Sequence, residues 1–346
     1  MRGILSVLHS DTEVLAALES DSAKIIAAPP SYPFLIALKA QQHPVLVVTS
    51  SSRSAEDLAE SLRDLHSRVY EFPAWETLPH ERLSPRSDTV AQRIATLYSL
   101  QLTDATHPVV VAPVRAVIHR FIASLATEPL WTLEIGQEIG LTELITHLTE
   151  LAFTRTDLVE KRGEFAVRGG IVDVFLPLAM HPVRIDFFGD EIEEMRYFEV
   201  ADQRTSEAVV GKLAILPCRE LLLTESIRER AEKIKSQYPS ALEILDKVAQ
   251  GTIVDGMESL IPLLTDDFET ILDRMPKGTQ VIFIDDERIR SRTADLIETN
   301  QEFLEASWSN AAIGGSAPLP VKNITYFDWK ELQEEILRLS LPARAL

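Results

Sequence analysis

One short run sets the first chemical question. In VRIDFFGDEI, residues 183–192, Val183, Ile185 and Phe187 alternate with Arg184, Asp186 and Phe188. Period-two alternation puts the first three on one face of a strand and the second three on the other. The first row is a core row. The second is polar until it reaches Phe188. Arginine offers forked donors to carboxylates, and an exposed aromatic offers contact area that is dehydrated on binding. Together they have the composition of a protein–protein hot spot. The competing arrangement folds Phe188 over the hairpin end at Gly189 and pairs the arginines of this region with Glu164 and Asp186.

Nucleotide chemistry finds less support. A phosphate loop needs glycines whose amides curl around phosphates, a lysine that reaches them, and a Ser or Thr for magnesium. Set against G-x-x-x-x-G-K-[ST], the stretch Ala27–Phe34 puts Ala27 and Tyr32 at the glycines, Pro33 at the lysine and Phe34 at the hydroxyl. Its prolines also remove amide donors. Asp285-Asp286-Glu287-Arg288 follows an apolar strand, where a motor would hold magnesium-linked acids; without the loop, such carboxylates read as solvated or capping groups. No G-x-S-x-G elbow is present. Cys218, in LPCREL, has no flanking feature of a nucleophile. The eight histidines are scattered without a pair at ligand spacing, so neither a metal nor a cofactor is expected.

Composition bounds the rest. With 346 residues the chain is long enough for two or three domains. Hydrophobic residues at 45% and charged residues at 25% describe a soluble globular protein with real cores. The formal net charge of -19 argues against holding a nucleic-acid backbone over a broad face. A single cysteine excludes an internal disulfide framework and fits a reducing compartment. No signal peptide and no membrane-spanning run is visible, so a cytoplasmic location is expected.

The elements that must carry these side chains fall into three parts. Residues 1–125 read as α/β, with strands at Lys24–Ala28, Val45–Val48 and Pro108–Val111. A capping box opens at Ser54, and a helix runs from Val114 to Phe121. Apolar strands alternating with amphipathic helices imply a parallel sheet covered on both faces. Between them, residues 72–101 form a proline-bearing excursion, in which Trp75 plugs the rim of the first core and Asp88 caps a helix. Residues 126–215 read as a separate α+β domain. A helix spans Leu141–Leu151, and four period-two runs are joined by hairpin turns at Gly169-Gly170 and Gly189-Asp190. Residues 216–346 return to mixed α/β. Helices are expected at 224–238, 241–250 and 329–339, and a strand at Val281–Ile284.

Three long runs then carry a family resemblance. They are FPAWETLPHERLSPRSDTVAQRIATLYSL, PVVVAPVRAV and RGEFAVRGGIVDVFLPLAMHPVRIDFFGDEIEEMRYFEVADQRT. Together they resemble the N-terminal part of the transcription-repair coupling factors, itself similar to the excision-repair protein UvrB. The resemblance implies a degenerate P-loop-like domain over 1–125, a UvrA-binding domain over 126–215 and a third α/β part over 216–346. It further implies a non-catalytic module that binds UvrA and recruits nucleotide excision repair to RNA polymerase stalled at DNA lesions. The family's ATP-dependent DNA translocase and its contacts with RNA polymerase and DNA lie further along the family protein, so this chain looks like an excised module. Matched motif to motif, the family's UvrA-binding residues fall on Arg168, Arg184 and Phe188. The region around Trp75 to Asp88 is short and nearly without tyrosine, which does not fit a strand-inserting hairpin. Two alternatives stand beside this: a residual ATPase or helicase half, and a DNA-binding module built on Arg288, Arg290 and Arg292.

Overall fold

The computed structural model describes residues 2–19, 26–78, 81–312 and 326–346. The chain is mixed α/β and groups into two compact units. One comprises 1–74, 96–123 and 267–346; the other comprises 75–95 and 124–266.

The first unit is organised by a five-stranded parallel sheet. Its spatial order is Ala343–Ala345, Gln280–Phe283, Val45–Thr49, Val109–Pro113, Val69–Glu71. Every residue of Val45–Thr49, Val109–Pro113 and Gln280–Phe283 is buried, as near-continuous apolar runs in a doubly covered sheet require. The helix Ser52–Arg63 buries Ala55, Ala59 and Leu62 at helical spacing. Its N-cap is Ser51, whose Oγ accepts from the Ser54 amide at 3.2 Å, so the helix starts ahead of the expected box at Ser54. The helix expected over Val114–Phe121 is a single turn, Val114–Val117, and Phe121–Ile122 instead pairs with Phe268–Glu269.

Of the strand expected at Lys24–Ala28, the first two residues lie outside the described residues. Ile26 is 91% exposed, and Ile26–Ala28 form no strand. Prolines turn the chain toward helix here. Pro29–Ser31 is a turn of 3-10 helix running into the helix Tyr32–Lys39, with Pro33 in its first turn. Proline is accommodated there because the first helical amides have no intrahelical partner.

The second unit is built on a six-stranded sheet. Its strands are β1 (Thr154–Arg155), β2 (Glu164–Arg168), β3 (Ile171–Val174), β4 (Val183–Phe188), β5 (Glu191–Phe198) and β6 (Thr205–Val209), in that spatial order. All neighbours are antiparallel except β1 and β2. Gly169 and Gly189 turn the β2–β3 and β4–β5 hairpins with φ of +62° and +65°, a region closed to most side chains. One face of the sheet supplies Phe165, Val172, Val174, Val183, Ile185, Ile192 and Met195 to the core. Leu144 and Leu148 of the helix Leu141–Glu150 close over them, as do Leu133, Leu213 and Ile215 of a separate antiparallel strand pair. Cys218 is buried in the same core, and burial pushes its thiol far above the ordinary range, which leaves it inert.

Trp75 is buried and groups with this second unit. Its indole N–H donates to Glu220 Oε1 at 3.0 Å. The same oxygen takes Arg93 Nε at 2.5 Å, and both charged side chains are fully buried. Close by in sequence, Ser84 Oγ donates to Glu258 Oε2 at 2.5 Å, and Arg219 Nη1 to its other oxygen at 3.3 Å. Gly256, with φ of +77°, lets the chain pass against Arg82, where an added Cβ would meet a carbonyl carbon at 2.4 Å. The proline-bearing excursion is therefore tied down by buried polar contacts. Asp88 lies inside the first turn of the helix Ser87–Gln101 and pairs with Arg86 at 2.5 Å; it is not the cap.

Candidate functional site

The second face of the six-stranded sheet is partly covered, with Arg168 and Phe188 among its exposed side chains on β2 to β5. Period-two alternation turns Ala166 and Arg168 of β2, Ile171 and Asp173 of β3, Arg184, Asp186 and Phe188 of β4, and Arg196 and Phe198 of β5 to this side. One end is covered by a small apolar cluster of Val159, Ala166, Phe175 and Phe198. Beyond it the face is charged. Register fixes two cross-strand rows: Ala166, Asp173, Arg184, Arg196, and then Arg168, Ile171, Asp186, Glu194.

Asp173 organises the first row. Its side chain is only 2% exposed. Its carboxylate receives Arg184 Nε at 2.7 Å and Arg184 Nη2 at 2.9 Å, a two-pronged pair. Arg168 Nη2 reaches the same carboxylate from the other side at 3.3 Å. One acid thus draws together two of the three residues singled out in the sequence. Neither arginine pairs with Glu164 or Asp186, the partners the competing arrangement gave them.

The two guanidinium groups differ in what they leave to a partner. Arg184 is 19% exposed and lies over the Phe198 ring at 4.9 Å, with Nη1 donating to the Gln203 carbonyl at 3.3 Å. The hydrogen bonds to Asp173 hold its charge more firmly than in water. Arg168 is 50% exposed, so part of its donor fork faces outward. Arg196 stands directly across from Arg184, a like-charge pairing that Glu194 offsets through a 2.5 Å bridge to Arg196. Burial raises the pKa of Asp186 against the pull of Arg184.

Phe188 ends the row. It is 76% exposed and does not fold over the Gly189 turn. It lies four positions beyond Arg184, about 13 Å along the strand. The aromatic tip and the arginine clamp therefore occupy two ends of one face, with Ile171 and Asp186 between them. Sequence reasoning missed Asp173. The signal was there, because a lone acid interrupting the apolar run IVDVF at an outward-facing position needs a cation.

The basic row at Arg288, Arg290 and Arg292 does not form a continuous track. These residues lie on the helix Asp286–Ala312, not on a strand. Helical geometry puts Arg288 and Arg292 on one side, while Arg290 turns toward Trp329, with its guanidinium 5.2 Å from the ring centroid. Among the described residues no helix is long and apolar enough to cross a membrane. No group of three or more His, Cys, Asp or Glu among them could hold a metal ion.

Comparison with known proteins places residues 131–221 in a family described as the UvrB interaction domain. Those residues include β1 to β6 and both arginines with Asp173 and Phe188. Over longer spans the chain is similar to proteins named transcription-repair-coupling factor. It is 46% identical to that of Mycobacterium bovis over 330 residues, 89% of this chain and 27% of the relative. For Myxococcus xanthus the identity is 32% over 277 residues, 73% of this chain and 23% of the relative. For Escherichia coli it is 29% over 284 residues, 79% of this chain and 23% of the relative. The chain spans about a quarter of the length of these relatives.

Proposed function

Residues 131–221 belong to the UvrB interaction domain family and the chain is homologous to the transcription-repair-coupling factors; on that premise we propose that it is their N-terminal, non-catalytic docking module for UvrA. The observation that carries this reading is Phe188, a large aromatic held in the open at the end of a sheet face that also presents Arg168. An exposed aromatic and a half-exposed arginine on one face supply both parts of a hot spot: area that loses water on contact, and directed donors for a carboxylate. Arg184 acts one step back. Clamped by Asp173, it sets the charge and position of the Arg168 end of the face. In this reading UvrA brings excision repair to a stalled polymerase, while RNA polymerase and DNA are engaged by the remaining length of the family protein.

Phe188→Ala tests the contact with least risk to the fold, because the ring is exposed and packs on little. Capture of UvrA by the chain is expected to weaken by about thirtyfold or more, the effect of truncating a central hot-spot side chain. Circular dichroism and melting temperature are expected to stay unchanged. UvrA binding as tight as that of the unmodified chain would remove Phe188 from the interface.

The non-catalytic part rests on residues 27–34. They lack the glycine amides, lysine and hydroxyl of a phosphate loop, and Pro29–Lys39 is helical where such a loop would open. ATP hydrolysis by this chain is expected to stay at the buffer rate with and without DNA. Turnover that scales with protein and survives repurification would return the degenerate-ATPase alternative.

A further inference from the structure

The carboxyl ends of three neighbouring parallel strands converge on one cavity in the first unit. Val45–Thr49 runs out into Ser51, Val109–Pro113 into Arg115, and Gln280–Phe283 into the helix that bears Arg288 and Arg292. The cavity holds about 400 Å³. Open α/β sheets place ligands in such a crevice, beyond the strand ends and where successive connections leave in opposite directions. That is the situation of Val45–Thr49. The next strand in the chain, Val69–Glu71, lies to one side of it, while Gln280–Phe283 and Ala343–Ala345 lie to the other.

The lining has an unusual balance. Three arginines and one acid, Asp295, line it, in a chain whose formal net charge is -19. Arg115 is half-buried, and its Nε donates to the Tyr326 hydroxyl at 3.2 Å, which fixes where its guanidinium sits. Arg288 makes only a solvent-exposed bridge to Asp285, at 3.3 Å. Arg292, one helical turn on, makes no ion pair among the described residues. Arg288 and Arg292 come from one helix and Arg115 from the segment after Val109–Pro113, so two separate parts of the chain bring cationic groups to the same opening.

From this geometry we infer that the cavity binds the phosphate group of a small phosphorylated molecule, with Arg115, Arg288 and Arg292 around its oxygens. Arginine suits this because its planar fork matches two phosphate oxygens at once. The size admits a phosphate with part of a nucleoside attached. A polynucleotide fits less well: the acidic chain repels a long polyanion, and among the described residues Arg290, between Arg288 and Arg292 in sequence, is turned to Trp329 and does not extend the basic row.

The experiment titrates the whole chain with AMP, with inorganic phosphate and with a single-stranded oligothymidylate, using calorimetry and thermal-shift readouts. Saturable binding of AMP is expected at a Kd of about 1 mM or tighter, with phosphate alone weaker. Arg292→Glu and Arg288→Glu, both at exposed positions, are expected to weaken AMP by about tenfold or more without lowering the melting temperature of the free protein. Absence of saturation by about 10 mM of either small probe, or unmodified affinity in both variants, would overturn the site. Oligothymidylate binding much tighter than AMP and abolished by Arg292→Glu would overturn the small-molecule assignment in favour of nucleic acid.

Discussion

Replacement of Glu220 by alanine is expected to lower the stability of the second unit by about 3–5 kcal/mol, the range for removing one member of a buried ion pair. Glu220 and Arg93 are both fully buried, and a single carboxylate oxygen receives Arg93 Nε and the Trp75 indole N–H together. Deleting the acid takes this counter-charge from an interior guanidinium, and takes this acceptor from the indole. Glu220→Gln keeps an acceptor for both donors but removes the charge, so a smaller loss is expected; the gap between the two variants measures the electrostatic part. Trp75 lies next to the altered side chain, so urea melts followed by tryptophan fluorescence read the change directly. A loss under about 1 kcal/mol for Glu220→Ala would mean that the pair contributes no more than a surface bridge. The functional consequence is specific. Residues 75–95 join the second unit through this contact and through the hydrogen bonds of Glu258, so loosening it is expected to free the excursion before the six-stranded sheet itself melts.

The parts of this molecule that sequence displays are those whose physics is local. VLVV, PVVV and VIFI read as strands because a parallel sheet buried on both faces asks for unbroken apolar runs. Both glycine hairpins are legible because few other residues adopt positive φ. The face assignment of Arg168, Arg184 and Phe188 follows from alternation alone. Non-local choices are not written in any window. Nothing near Val281 says that its strand lies beside Val45–Thr49, within a sheet three of whose strands come from the opposite end of the chain. β6 is exposed at every position, so it has neither an apolar row nor a period to find. Four nearby serines could each cap the helix after Val45–Thr49, and the choice of Ser51 depends on where the strand releases the chain. The clamp at Asp173 is an intermediate case. Its acid was visible, but its pairing to two arginines on flanking strands required the register.

That register changes what an arginine substitution can establish. Arg184→Ala is expected to abolish UvrA capture, yet for two reasons at once. It removes a candidate contact, and it strips a nearly fully buried carboxylate of its two-pronged partner, at a stability loss of about 3–5 kcal/mol. Arg168 remains beside Asp173 but reaches it only at 3.3 Å and is half in solvent, so it compensates little. A double variant separates the two effects. Asp173→Leu with Arg184→Met replaces the pair by apolar side chains of comparable bulk beside Phe198, a change that restores stability in buried pairs. If Arg184 only positions its neighbours, the double variant regains the fold, and UvrA binding returns to within about threefold, carried by Phe188 and Arg168. If Arg184 itself grips UvrA, stability returns but binding stays down by about thirtyfold or more. Since Arg184 is mostly covered and Arg168 is half exposed, the positioning outcome is the expected one, and Arg168→Ala in the unmodified background is then expected to weaken UvrA more than the double variant does. Binding that survives Arg168→Ala, Phe188→Ala and the double variant alike would place the UvrA contact on another surface altogether.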